Sequence, residues 1–388
     1  MEQELKKFLK NYYLTSFFFS FVFAYAIYIV LFHVRGLSIL QIALLTSWCS
    51  LITLLLEIPT GALADAWSRK KMLALAPLIK ALCFVIWFFA NGNFYLYIFG
   101  ITFWATANAL VSGTSESLLY DTLSFHNKKE DYEKVLGRKK FYFNIALAIS
   151  IISGGFIANY NMDWAIIFSV IPLILSSFFA IRLKEAPKTG STGETHYLDY
   201  IKIAFQEIKV NKILLYLFIY LFSISVLIEL EVFDQLYYQL AGLPIYAFGI
   251  AGFIASLVNA TSAFFSHKLK DKNNVFYLLP LLGAGLFIWS ALFPNIWMIG
   301  ILLLAYFVTH PLKILIESKI QHTIKSESRA TITSASSLLV NLFGIAAAPI
   351  FGLISKVWNL QAVYLSAGIF LAVFAIWVFF VRNKILAR

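Results

Sequence analysis

Twelve long apolar runs, parted by short polar turns, constrain this chain more than any motif does. They lie at about 11–33, 39–62, 72–91, 94–121, 140–160, 163–183, 212–236, 244–267, 275–293, 296–318, 329–355 and 359–382. A helix needs about 20 apolar residues to cross the hydrocarbon core of a bilayer. A barrel strand would instead alternate in polarity over about ten residues. Here Phe, Leu and Ile persist over helical lengths, so the expected fold class is an all-α membrane protein with twelve transmembrane helices. Composition agrees: 60% of the 388 residues are hydrophobic and the mean hydropathy is +0.79. Too little polar surface remains to cover a water-soluble globule. The opening MEQELKKFLKNYY and the run after it read as a retained first span, because no small-residue cleavage site follows.

The charges give the orientation. The net charge is +11, and 27 of the 31 Lys and Arg fall in alternate connections. The other connections hold only Arg35 and Lys356, while Lys80 and Lys313 lie within spans. A surplus of cations marks the cytoplasmic side, so both termini are expected in the cytoplasm. Clustered in short turns, these cations read as topology signals and contacts to membrane lipid, and nucleic acid is not an expected partner. Cys49 and Cys83 lie inside apolar runs and read as small buried groups. No metal-ligand cluster, cofactor site, nucleophile arrangement or nucleotide-binding glycine loop stands out, so no metal, no cofactor and no enzymatic activity are expected.

The longest connection, 184–211, begins with Pro, Thr, Gly and Ser and continues with a stretch whose apolar residues recur at helical spacing. It reads as a cytoplasmic linker with a helix on the membrane surface. It divides the chain into 1–183 and 212–388, six spans each. The halves repeat faintly: the second span and its basic turn parallel the eighth with SHKLKDKNN. The fourth ends in ESLLYDTLSFHNKKED and the tenth in ESKIQHTIKSESR. Two related halves place a binding site at their interface near mid-membrane.

One turn carries a motif. In EIPTGALADAWSRKKML, Gly61, Leu63, Ala64, Asp65, Arg69, Lys70 and Leu73 stand together. Gly61 suits close helix approach, Asp65 can cap a helix N-terminus, and Arg69 can pair with a carboxylate. This stretch resembles the major facilitator superfamily signature G-x-L-A-D-[RK]-x-G-[RK]-[RK]-x-x-L, departing from it at Ala66 and Ser68. The resemblance implies two pseudo-symmetric six-helix bundles, with spans 1, 4, 7 and 10 lining a cavity. It also implies a conformational latch in which Asp65 meets the start of the eleventh span and Arg69 pairs with Asp121. The wording LEIPTGALAD with GTSESLLYDTL is similar to bacterial drug and metabolite exporters of that superfamily. The antiporter motifs of spans four and five, an arginine and a glycine-proline pair, are missing.

Ionisable groups within spans are costly and call for a partner, water or a function. Tyr306, His310, Lys313 and Glu317 share one face of the tenth span, and Lys313 can pair locally with Glu317. His310 can titrate near neutrality. Asn108, Ser112, Glu116 and Tyr120 recur every four residues in the fourth span, so Glu116 belongs either to the cavity or to the latch. Glu229, Glu231 and Asp234 crowd the end of the seventh span. Glu229, Glu231 and His310 are the expected proton carriers, with Lys313 and Glu116 as further candidates for a proton or substrate, while Asp234 reads as solvated. Lys80 reads as structural, with Glu57 a possible partner. Tyr25, Tyr28, Asn108, Ser112 and Tyr306 are expected to line the cavity, giving an amphiphilic compound aromatic surface to rest on.

The expected function is proton-coupled export of an amphiphilic organic small-molecule substrate by alternating access. The protein would act as a monomer of the bacterial inner membrane. Uptake of a metabolite or metal chelate such as a siderophore, and a non-transporting receptor, are the alternatives.

Overall fold

The computed structural model describes residues 2–185, 211–270, 272–324 and 329–385, without the side chains of 58, 62, 65, 66, 329–339 and 383–385. The surface helix expected within 184–211 falls almost wholly outside these residues. The described chain is helical and contains no strand. Its helices are α1 (Glu2–Ser20), α2 (Tyr28–Val34), α3 (Ile39–Ala66), α4 (Arg69–Phe89), α5 (Phe94–Val111), α6 (Thr114–Phe125), α7 (Tyr132–Tyr160), α8 (Met162–Phe168) and α9 (Val170–Ile181). They continue with α10 (Lys212–Leu230), α11 (Asp234–Leu240), α12 (Tyr246–Phe265), α13 (Val275–Leu292), α14 (Ile296–Thr323), α15 (Arg329–Val357) and α16 (Leu360–Ile385).

Among the described residues, 11 helical stretches are long and apolar enough to cross a membrane. The first expected span is not one of them, because it is broken. α1 stops at Ser20, a 3-10 turn covers Phe23–Ala26, and α2 resumes at Tyr28. Together these pieces make the twelfth crossing.

Short turns work because asparagines cap the helices they open. Asn93 accepts from the Tyr95 and Leu96 amides, Asn211 from Ile213 and Leu214, and Asn295 from Trp297. Each cap satisfies N–H groups that a helix start leaves without a partner.

The chain forms two compact units. The first takes Met1–Leu37, Trp48–Gly193 and Pro244–Phe253; the second takes Ser38–Ser47, Glu194–Leu243 and Ile254–Arg388. In the first, α4 packs on α5 and α9, and α1 on α7 and α9. In the second, α13 packs on α14 and α16, and α10 on α14, α15 and α16.

The break in the first span needs replacement hydrogen bonds, since no water reaches a bilayer core. Ser169, between α8 and α9, accepts from the Ala24 amide at 3.0 Å. The Ser20 hydroxyl donates to the carbonyls of Phe17 and Phe143, both at 3.0 Å. Gly154 of α7 lies so close to the Phe23 backbone that a Cβ there would collide with it. Its neighbour Gly155 is equally tight against Tyr246 and Gly249 of α12. These are the close approaches that small residues permit. Gly61 is different: among the described residues a Cβ there would meet nothing within 4 Å.

Arg35, from the connections poor in cations, clamps the opposite end of the first unit. Its guanidinium donates to the carbonyls of Trp87 and Phe88 at 2.6 and 3.3 Å, to the Tyr97 hydroxyl at 3.1 Å, and to Asp163 at 2.6 Å. A planar fork of five donors can serve all four acceptors, and the last carbonyls of α4 suit a cation.

Candidate functional site

The motif turn joins α3 to α4. Arg69 opens α4 and its guanidinium pairs with Asp121 of α6. Both side chains are about nine-tenths buried, at 11% and 10% exposure, so water screens the pair weakly. A third member was not expected from sequence. The Glu185 carboxylate, just beyond α9, accepts from the Arg69 amide at 2.8 Å and from the Ser68 hydroxyl. Ser68 is also the N-cap of α4, accepting from the Lys71 amide. A serine where the signature has glycine is thus a helix cap bound to an acid. Lys70 and Lys71 follow in α4, and the backbone of Asp65 belongs to α3. The side chain of Asp65 and those at the start of α15 lie outside the described residues, and so does their expected contact.

The polar stripe of the fourth span rests on an unbroken helix, and the helix breaks. α5 ends at Val111, Gly113 adopts φ +68°, and α6 begins at Thr114. Such a φ suits glycine and changes the chain direction, so four-residue spacing no longer implies one face. Asn108 is half-buried, while Ser112, Glu116 and Tyr120 are exposed.

The seventh span tightens to a 3-10 turn at Glu231–Phe233 between α10 and α11, and the acids sit there. Glu231 Oε1 lies 2.8 Å from His310 Nε2 of α14. The other ring nitrogen, Nδ1, is buried with no hydrogen-bond partner among the described residues. Asp234 is not solvated: it is 8% exposed, and the hydroxyls of Tyr306 and Tyr364 donate to its Oδ1 at 2.8 and 3.1 Å. Two phenols in place of water explain how a carboxyl can sit there. Tyr306 is therefore a buried partner of Asp234 and does not line an open cavity; its ring stacks on His310 at 5.4 Å. Glu229 points toward α15, where its Oε1 occupies the space a Cβ on Gly344 would need. Lys313 and Glu317 form the local pair, at 3.9 Å.

Lys80 of α4 is 2% exposed and forms no salt bridge with Glu57 among the described residues; Glu57 is exposed. Its ammonium donates to the Tyr25 hydroxyl at 2.7 Å and the Phe19 carbonyl at 3.4 Å. It lies 4.1 Å from the Phe19 ring centroid and 5.4 and 5.5 Å from those of Tyr25 and Trp104. Ring faces attract a cation, and a carbonyl freed by the helix break completes the cage. Tyr25 is thereby a lysine partner. Tyr28 joins the same aromatic cluster, its ring 5.6 Å from Trp104 and 6.0 Å from Trp87.

A cavity of about 260 Å³ opens within the first unit between α1, α4, α6 and α7. None of the residues expected to line a cavity lines this one. Thr15, Ser16, Phe19, Leu73, Phe143 and Lys139 are on its wall. The Lys139 ammonium donates to Ser115 Oγ at 2.9 Å, and Tyr12 hydrogen-bonds the same hydroxyl at 3.0 Å. One signal was legible: Tyr12, Thr15, Ser16 and Phe19 share a helical face. Lys139 was hidden among flanking cations.

A sequence profile of the Major Facilitator Superfamily matches residues 12–348. The uncharacterized MFS-type transporter YxaM of Bacillus subtilis (strain 168) is 22% identical over 355 residues, covering 87% of this chain and 86% of that protein. Among solved structures, the nucleoside transporter NupG superposes with a TM-score of 0.77 at 13% identity, over 100% of both chains. A bacterial homologue of the human lysosomal transporter Spinster, inward-facing and unoccupied, gives 0.76 at 17% identity, over 100% of this chain and 98% of that one. Apolar helices, a charged turn between the second and third spans, and this profile agree: the chain belongs to the major facilitator superfamily and is a multi-pass membrane transporter, not an enzyme.

Proposed function

We propose that this transporter exports an amphiphilic organic compound in exchange for protons by alternating access. One arrangement carries the reading: the Glu231–His310 pair at 2.8 Å in the broken seventh span, beside Asp234 and its two tyrosines. A carboxylate facing an imidazole inside a membrane can hold a proton and release it when its surroundings change. Glu229, two residues before Glu231, is the second acid a cargo can reach. On this reading Arg69, Asp121 and Glu185, with Asp65, form the latch, and 1–183 and 212–388 are the two bundles joined by 184–211. The charge asymmetry supports both termini in the cytoplasm of a bacterium. The protein works as a monomer.

The test uses proteoliposomes containing a pH-sensitive dye. Amphiphilic carboxylates, amines and neutral compounds that stabilise the purified protein are offered under an imposed pH gradient. Cargo-dependent proton movement is expected in the parent protein. It is expected to disappear in Glu231→Gln and His310→Gln while cargo exchange without a gradient continues. Proton movement surviving in both variants removes the coupling assignment. Accumulation in right-side-out vesicles reverses the direction.

A further inference from the structure

Lys139 begins as one cation in a row. Its neighbours Arg138 and Lys140 are exposed, as topology signals should be, although Lys140 also borders the cavity described above. Lys139 instead turns inward, half-buried, to the wall of the cavity. Its hydrogen-bond partner there is the neutral hydroxyl of Ser115, and the Tyr12 ring lies 5.5 Å away. No carboxylate lies within 4 Å of its ammonium among the described residues; Glu116, the acid whose field reaches it, is exposed and does not line the cavity. An inward ammonium without a counter-ion is costly, so such a wall favours an anion.

A second feature points the same way. Ser16 also lines the cavity, is only 9% exposed, and its hydroxyl has no hydrogen-bond partner among the described residues. A hydroxyl free on the cavity wall can donate to an acceptor bound there. Ser115 lies in the first turn of α6, whose N-cap Gly113 offers no side chain, and Glu116 in the same turn offsets part of the positive helix end. Phe19, Leu73, Val111 and Phe143 make the apolar part of the wall, and Thr15 and Lys140 complete its polar part beside Tyr12.

We propose that this cavity binds a small monoanionic amphiphile, a carboxylate on an aromatic or short aliphatic body. The carboxylate sits on Lys139 and Ser16, and the body fills the apolar wall. The volume of about 260 Å³ lies just under the ~300–1,000 Å³ of pockets for drug-sized ligands. It suits a bicyclic acid better than a two-chain lipid. This names the cargo class of the transporter proposed above and rests on that reading only in calling the ligand cargo.

The test uses 2-naphthoate as the probe, with naphthalene-2-methanol and 2-naphthylmethylammonium as its neutral and cationic counterparts. Binding is measured calorimetrically to the full chain in phosphatidylcholine nanodiscs. Naphthoate is expected to bind at least tenfold more tightly than either counterpart. Lys139→Gln should weaken it tenfold or more, Lys139→Arg should retain most of the affinity, and Ser16→Ala should cost three- to fivefold. Lys134→Gln, which removes an exposed cation from the same helix, should change nothing. Val111→Trp, which fills the cavity, should abolish binding and serves if Lys139→Gln does not fold. Equal binding of all three compounds, unchanged affinity in Lys139→Gln or Val111→Trp, or no binding of naphthoate overturns the proposal. Replacing the lipid with phosphatidylglycerol should leave affinity unaltered; competition by that lipid would assign the site to a headgroup and likewise overturn it. Failure of proton-driven naphthoate flux, with binding intact, counts against the coupled-export reading and leaves the site standing.

Discussion

The first and seventh spans, one in each unit, are both interrupted by a 3-10 turn, at Phe23–Ala26 in one and Glu231–Phe233 in the other. What the interruptions gather differs in sign. Around the first stand a lysine, three aromatic rings and freed backbone groups. Around the second stand three acids, a histidine and two tyrosines. One unit houses a cation by ring faces and a carbonyl; the other houses carboxyls by phenols and an imidazole. Each set of neighbours suits its own charge and would repel the opposite one. The lesson is that a shared backbone defect is chemically neutral until side chains from other helices give it a polarity.

The comparison breaks most visibly at Lys80. Lys80→Glu places a carboxylate against ring faces and a carbonyl, and no monodisperse protein is expected on size-exclusion chromatography. Lys80→Met fills the same space with a thioether that tolerates rings, and should fold with a loss of about 1–3 kcal/mol in thermal unfolding. A well-folded Glu variant means that the cage has no preference of sign.

In the second unit, Asp234→Ala strands two buried hydroxyls and should cost about 2–4 kcal/mol. Asp234→Asn keeps an acceptor in place and should cost less than half of that in the same assay. Equal losses would mean that packing, not the hydrogen bonds, matters there.

A smaller effect tests the motif turn. A double-mutant cycle of Arg69→Ala and Asp121→Asn should return a coupling of about 1–3 kcal/mol, since both side chains are largely buried. Strict additivity would reduce the pair to two unrelated surface charges.

The smallest effect concerns the exposed link from α1 to the residues after α9, Lys184 to Glu4 at 2.7 Å. The Lys184 ammonium, through its hydrogen bond and its charge, holds the Glu4 carboxyl below its ordinary pKa. A depressed carboxyl stabilises the fold above its unfolded pKa and loses that contribution as pH falls through the folded one. A slight loss in melting temperature below about pH 4.3, absent in Glu4→Gln and in high salt, is the expected result.

The spans were readable because a bilayer demands long apolar helices, and nothing subtler is required. Arg69 with Asp121 was readable only through the family signature, which fixes partners 52 residues apart. Glu185 and Ser68 were missed because the signature carries glycine where this chain has the cap. Asp234 was misjudged because its partners lie 72 and 130 residues away, and no local pattern ties them together. The break near Phe21 has no proline or glycine to announce it; it persists because Lys80 of α4, Gly154 of α7 and Ser169 between α8 and α9 meet it. The break at Gly113 did carry its signal, and the regular spacing of polar residues across it concealed it.

The adjacent glycines of α7 have a mechanical consequence. Gly154 and Gly155 press backbone to backbone on two neighbours at once, the mended first span and the start of α12. Interlocked side chains resist sliding like gear teeth, whereas two bare backbones in contact behave as a plain bearing. A single methyl group on either residue acts as a wedge. Alanine at 154 or 155 therefore cannot keep the described packing: a helix must move aside for the methyl group, and no charge is touched.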